Sequence, residues 1–177
     1  MDLLLRRRML IDKLSAASDP YLLQPYTITF TSANKFWIDA TLFNESDFPI
    51  TSLYLKLNDG PWTAYDIWDN VFSGFLELSV SSGDILQIKA TGRWGISQSQ
   101  HCIFSVGSSS DRIMVSGNIM SLIAGDNFAS ATVVPDFAFY SLFYDSSYYF
   151  NQCCTDYSNL RLPATTLGER AYSSLFA

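Results

Sequence analysis

The sequence predicts a mainly β protein: an antiparallel β-sandwich with a short N-terminal docking helix before it and a small C-terminal α/β segment after it. Three observations predict this. Apolar and polar residues alternate through the middle of the chain, with turn residues every eight to twelve positions. The first fourteen residues carry a helical period instead. After residue 117 the alternation gives way to an aromatic-rich, self-similar stretch. The expected division is residues 1–20 as docking peptide and linker, 21–117 as β-sandwich, and 118–177 as the aromatic-rich segment.

On a helix turning about 100° per residue, Leu3, Leu4, Leu10, Ile11 and Leu14 share one sector, while Arg6, Arg8, Asp12 and Lys13 lie outside it. Arg7 falls within the apolar sector and needs an acidic partner if it is buried. A helix of about a dozen residues is marginal in water and orders only against something else. Two readings stand side by side, a frayed helix on its own domain and a docking peptide. In the second, the five apolar residues are covered by a partner and Arg6, Arg7 and Arg8 pair with its acidic groups. Ser15-Ala16-Ala17-Ser18-Asp19-Pro20 reads as a linker ended by a helix-breaking proline.

From Tyr26 the period is two. Thr27–Thr31 alternates; Phe36, Ile38, Ala40 and Leu42 share a face; Leu53, Leu55 and Leu57 alternate with Tyr54 and Lys56. Asn58-Asp59-Gly60 signals a turn, and Trp62–Tyr65 restarts a strand as its hairpin partner. Leu76, Leu78 and Val80 precede the turn Ser81–Asp84, after which Leu86, Ile88 and Ala90 alternate. Cys102–Val106 and Arg112–Val115 flank a Gly/Ser-rich turn.

The chain has 177 residues and 19.9 kDa, 48% hydrophobic and 16% charged, which is enough apolar material to offset the ordering entropy of a folded core. Its net charge of −6 is uneven: residues 1–14 hold four bases and two acids, leaving seven bases against fifteen acids in the remainder. Such a body repels phosphate backbones, so nucleic acid is not an expected partner. No apolar run approaches the roughly 18 residues of a membrane span, and the start lacks the charge-then-apolar order of a secretory signal, so no membrane partner is expected.

Chemistry-bearing patterns are thin. Cys102, Cys153 and Cys154 are odd in number and lack C-x-x-C spacing, so free thiols are expected rather than disulfides or zinc. His101, the single histidine, adjoins Cys102, and strand geometry points adjacent side chains to opposite faces, which argues against a Cys–His dyad. Asp136, Asp145 and Asp156 read as solvated loop acids. No catalytic residue, cofactor or metal is expected. Trp62, Tyr65, Trp68 and Trp94 near predicted turns are candidate glycan or subunit contacts, the alternative being that they fill the core.

In the last third, Ala138-Phe139-Tyr140-Ser141-Leu142-Phe143 matches Ala171-Tyr172-Ser173-Ser174-Leu175-Phe176 at a distance of 33 residues. Together with Ser116-Gly117-Asn118-Ile119-Met120-Ser121-Leu122 and Leu162-Pro163-Ala164-Thr165-Thr166-Leu167, this resembles the BspA-like leucine-rich-repeat surface proteins of gut anaerobes. It also resembles structural proteins of the phages that infect them, of crAss-like head-fibre or capsid-decoration type. Tyr54-Leu55-Lys56-Leu57-Asn58-Asp59-Gly60-Pro61-Trp62 and Ser82-Gly83-Asp84 belong to the same resemblance, which covers roughly residues 26–177.

The resemblance implies a leucine-rich-repeat-like C-terminal segment and a location on a bacterial surface or in a virion. An expected virion protein would be non-enzymatic, docked through residues 1–14 on capsid or other virion proteins, and a homo-oligomer. A carbohydrate- or host-surface-binding adhesin, with a host glycan as ligand, is the alternative.

Overall fold

A computed structural model describes residues 19–68, 74–143 and 153–175, and the protein is mainly β. The expected docking helix, with Leu3, Leu4, Arg6, Arg7, Arg8, Leu10, Ile11 and Leu14, lies outside the described residues. The strands are β1 (Tyr26–Ser32), β2 (Lys35–Asp39), β3 (Ser52–Leu57), β4 (Thr63–Ala64), β5 (Phe75–Ser79), β6 (Ile85–Thr91), β7 (Ile103–Val106), β8 (Arg112–Asn118), β9 (Val133–Val134), β10 (Cys154–Arg161) and β11 (Thr166–Leu167). Six form a sheet in the order β10-β8-β1-β6-β3-β4, three form a second in the order β5-β2-β7, and β9 pairs with β11.

Alternation decides which side chains turn inward. Tyr26, Ile28 and Phe30 of β1, Leu86, Ile88 and Ala90 of β6, Leu53 and Leu55 of β3, and Ile113 and Val115 of β8 are buried on one face of the large sheet. Phe36 and Ile38 of β2 and Phe104 and Val106 of β7 are buried on the small sheet. The two faces meet through rings: Phe30 lies 6.0 Å from Phe36, and Tyr26 lies 6.3 Å from Phe104. Leu42, expected beside Phe36, Ile38 and Ala40, is instead exposed. β2 ends at Asp39, whose carboxylate takes the Thr41 N–H at 2.8 Å and turns the chain away.

The turns have two destinations. Asn58, at φ 53°, closes the β3–β4 hairpin, and its amide side chain also ties that turn to the next one, donating to Asp84 and accepting from the Ile85 N–H. The turn at Ser81–Asp84 instead carries the chain from the small sheet to the large one, as does the loop between β7 and β8. β1 and β2 also lie in different sheets.

A purely antiparallel arrangement does not hold: β10 runs parallel to β8 as the outermost strand of the large sheet. This follows from the internal repeat, because the chain leaves β8 and β10 in the same direction and then forms two coils, one above the other. β9 and β11 pair in parallel, Thr166 with Val133 and Leu167 with Val134, at the 33-residue offset of the self-match. The N–H groups of Phe137, Phe139 and Ser141 donate to the carbonyls of Glu169, Ala171 and Ser173 at 2.8, 2.9 and 3.1 Å. Phe139 stacks on Tyr172 at 5.3 Å. Even the left-handed backbone repeats, at Phe137 and Arg170 and again at Ser141 and Ser174. Buried residues run without a break from the two sheets into these coils, across residues 117 and 118.

Gly117–Leu122 is the corner that makes this possible. Gly117 has φ 85°, and a Cβ there would lie 2.1 Å from the Pro25 carbonyl oxygen, so glycine is required on both counts. Asn118 donates its side-chain amide to the carbonyls of Leu22 and Phe128 and accepts from the Met120 N–H. Ile119, Met120 and Leu122 enter the core. The Ser121 hydroxyl accepts from the Tyr26 N–H and donates to the Ile88 carbonyl, both at 2.8 Å, bridging the start of β1 and the middle of β6 in a fully buried site. Ser121→Ala strands both backbone groups, so it is expected to lower unfolding stability by about 1–3 kcal/mol in urea titration. Ser130→Ala, at an exposed turn, is expected to change it by less than about 0.5 kcal/mol.

Candidate functional site

The four aromatic candidates separate into three environments. Trp94 is fully buried, its Nε1–H donating to the Leu122 carbonyl at 2.6 Å and its ring 5.0 Å from Phe104. It cannot stack on a ligand and is corrected to a core residue. A tryptophan with an interior carbonyl to satisfy its N–H packs better than it solvates. Tyr65 and Trp68 are half-buried walls of a hollow of about 540 Å³ beside Phe48 and Ile50. Trp68 meets Phe48 edge-on at 5.7 Å and presses on Gly74, where a Cβ would come within 2.7 Å of the indole.

Trp62 lies in a separate hollow of about 320 Å³ on the outer face of the large sheet, with Tyr54 and Lys89, a directly opposed pair on β3 and β6. Their position follows from the alternation: Leu53, Leu55, Ile88 and Ala90 point inward, so Ser52, Tyr54, Lys89 and Thr91 point out. The 3₁₀ turn Gly125–Ser130 supplies the far wall. Gly125 has φ 53°, and a Cβ there would meet the Thr91 methyl at 2.9 Å, so glycine lets this wall close against the sheet.

Lys89 sits at the centre. Its Nζ lies 4.4 Å above the Trp62 ring and 2.7 Å from Asp126 Oδ1. Its side chain is 18% exposed and that of Asp126 is 87% exposed, so the ammonium is held in the floor while the carboxylate stands at the rim. The Thr91 hydroxyl meets those of Thr51 and Ser52 at 2.7 and 2.6 Å. Among the described residues, Trp62 Nε1 and Tyr54 Oη have no hydrogen-bond partner and remain available to a ligand. The arrangement offers aromatic faces, one cation, one anion and hydroxyls within one depression. It contains no nucleophile paired with a base.

The other titratable groups serve structure. Burial pushes the Cys102 thiol far up and holds those of Cys153 and Cys154 up as well, so all three are poor thiolates; none is in a disulfide. Burial also lowers the His101 pKa, which keeps the ring neutral at pH 7, edge-on to Tyr140 at 5.2 Å. Asp136 accepts the Glu169 N–H and Asp156 the Ser158 N–H, each at 2.7 Å; Asp145 lies outside the described residues. Among the described residues no three His, Cys, Asp or Glu side chains come together to hold a metal, and no helix is long and apolar enough to cross a membrane.

Sequence reasoning found Trp62 through its turn but missed Tyr54, Lys89 and Asp126. Alternation marks the first two as outward-facing; only the register places them opposite each other, and nothing local brings Asp126 to β6.

The two tryptophans are expected to differ sharply when truncated. Trp94→Ala should cost about 3–5 kcal/mol of unfolding free energy, whereas Trp62→Ala should cost under about 1 kcal/mol and leave the folded spectrum unchanged. Denaturant titration with circular dichroism measures both. Comparison of the chain with family models, with curated proteins and with solved structures returns no match.

Proposed function

We propose that this protein is a non-enzymatic structural component of a phage particle, a head-fibre or capsid-decoration protein. Its basic amphipathic start docks on capsid or other virion proteins as a short helix, and its body, two facing sheets of mixed and antiparallel strands carrying a leucine-rich-repeat-like segment, projects and oligomerises. The support is the corner at Gly117–Leu122, which joins the sheets to the coils through Asn118 and Ser121. The motif that carries the resemblance therefore has a mechanical task, to hold two halves as one rigid body, which suits a projecting part of a particle.

Docking on this reading combines apolar burial with charge pairing. Leu3, Leu4, Leu10, Ile11 and Leu14 contribute about 1.5–3 kcal/mol each when fully covered, against the entropy of ordering the helix. Arg6, Arg7 and Arg8 add charge-assisted pairs, and repetition over an oligomer multiplies the result. Deletion of residues 1–14 is expected to leave a folded body that no longer joins particles in a reconstitution assay. Incorporation at the normal copy number would exclude the reading.

The hollow around Trp62 favours a second reading, a saccharide-binding adhesin. A pyranose presents apolar C–H faces to rings and vicinal hydroxyls to a carboxylate and an ammonium, which is the set offered by Trp62, Tyr54, Asp126 and Lys89. On a glycan array the intact protein is expected to retain a defined set of glycans that both Trp62→Ala and Asp126→Asn lose at least tenfold while keeping their fold. No binding by the assembled protein, or binding indifferent to both substitutions, would exclude this site.

A further inference from the structure

The two coils have a direction. Phe137, Phe139 and Ser141 of the first donate their N–H groups to carbonyls of the second, and the carbonyls of Ala138 and Leu142 accept in turn from Trp94 and Phe104 of the body. Carbonyls thus face the sheets and N–H groups face away. At the 33-residue offset, the groups that would donate onward from the second coil are the N–H groups of Arg170, Tyr172 and Ser174. Among the described residues none of the three has a partner, whereas the intervening Ala171, Ser173 and Leu175 N–H groups close turns onto Gly168, Arg170 and Tyr172.

Side chains mark the same surface. Val134 is fully buried, and its counterpart Leu167 is 56% exposed. Phe139 and Ser141 are buried beneath the second coil, whereas Tyr172 is half-exposed and Ser174 exposed. Ala138 and Leu142 and their counterparts Ala171 and Leu175 are all buried, so the difference is confined to positions that one coil covers on another. The carboxylate of Asp136 takes the N–H of Glu169, and Glu169 occupies the matching position, its side chain 71% exposed with only a 3.7 Å contact to Arg170.

We propose that this edge is a docking surface for one further coil of the same repeat, carried by a partner chain and laid parallel over residues 166–175. The fit is defined by the interface already present between the two coils. The incoming segment presents a row of carbonyls to Arg170, Tyr172 and Ser174, a backbone N–H to the Glu169 carboxylate, and apolar side chains to Leu167 and the open face of Tyr172. β10, the outermost strand of its sheet, offers its edge to the strand of the same incoming unit. A folded second copy of this chain cannot fill the role. The carbonyls of its first coil face its own sheets, those of Ala138 and Leu142 taken by Trp94 and Phe104, those of its second coil are taken by the first, and two donor edges do not pair. The proposed partner is a different protein whose leading coil has an open carbonyl side.

The proposal stands apart from the virion and saccharide readings, and its test reads neither particles nor glycans. The full chain is extended by a flexible Gly/Ser linker of about 20 residues and a second copy of the sequence 153–175, which holds the probe at an effective concentration in the millimolar range. Amide hydrogen exchange is followed by NMR. Exchange at Arg170, Tyr172 and Ser174 is expected to slow at least tenfold relative to the unextended chain, and Leu167→Asp in the body should reverse this while Phe137, Phe139 and Ser141 stay protected. Unchanged exchange at the three amides, or equal slowing by a scrambled segment, overturns the proposal. Equal slowing by inorganic phosphate added to the unextended chain also overturns it, in favour of an anion site.

Discussion

Phe104 is the contact through which the two sheets and the coils become one body. Its ring lies 6.3 Å from Tyr26 of the large sheet, 5.4 Å from Phe36 of the small sheet, 5.0 Å from Trp94 and 5.9 Å from Phe143 at the end of the first coil. Its backbone N–H donates to the Leu142 carbonyl, so the strand that carries the ring also anchors the coil. Edge-to-face geometry, as with Phe36 and Trp94, suits aromatic quadrupoles and leaves few alternative packings. The large sheet, the small sheet and the coils therefore share one core, and the corner at Gly117–Leu122 has only to guide the chain from one to the next.

The coils show how strain and stacking are balanced. Phe137, Ser141, Arg170 and Ser174 adopt left-handed backbone that costs a non-glycine residue on the order of 1–2 kcal/mol. At Phe137 and Ser141 the cost is offset by hydrogen bonds to the second coil. Arg170 and Ser174 hold the same conformation with no partner for their N–H groups among the described residues, inside turns closed by the N–H groups of Ala171 and Leu175. A donor row presented at this cost is the physical basis for assigning that edge a partner.

The candidate hollow was only partly legible. Trp62 follows a turn signal, so its exposure could be read from Asn58-Asp59-Gly60-Pro61. Trp94 also stands next to glycines, yet it is buried, because Leu122 supplies a carbonyl for its N–H from 28 residues away. Lys89 becomes a site residue only through the β3–β6 register, which puts it beside Tyr54, and through the turn that brings Asp126 within 2.7 Å.

From the sequence alone come the inward-facing residues of β1, β2, β3, β5 and β6, the turn at Asn58, and the equivalence of residues 138–143 and 171–176, because side-chain period and self-similarity are local properties of the chain. Tertiary structure alone decided that β5 and β6, and β7 and β8, belong to different sheets, that β10 lies parallel on β8, and that Leu42 turns outward. The reason is that a strand with one apolar face has the same pattern whether the next turn folds it back as a hairpin or carries it over to an opposing sheet. The choice is made by contacts such as Phe36 with Phe104, between residues far apart in the chain and invisible to any local period.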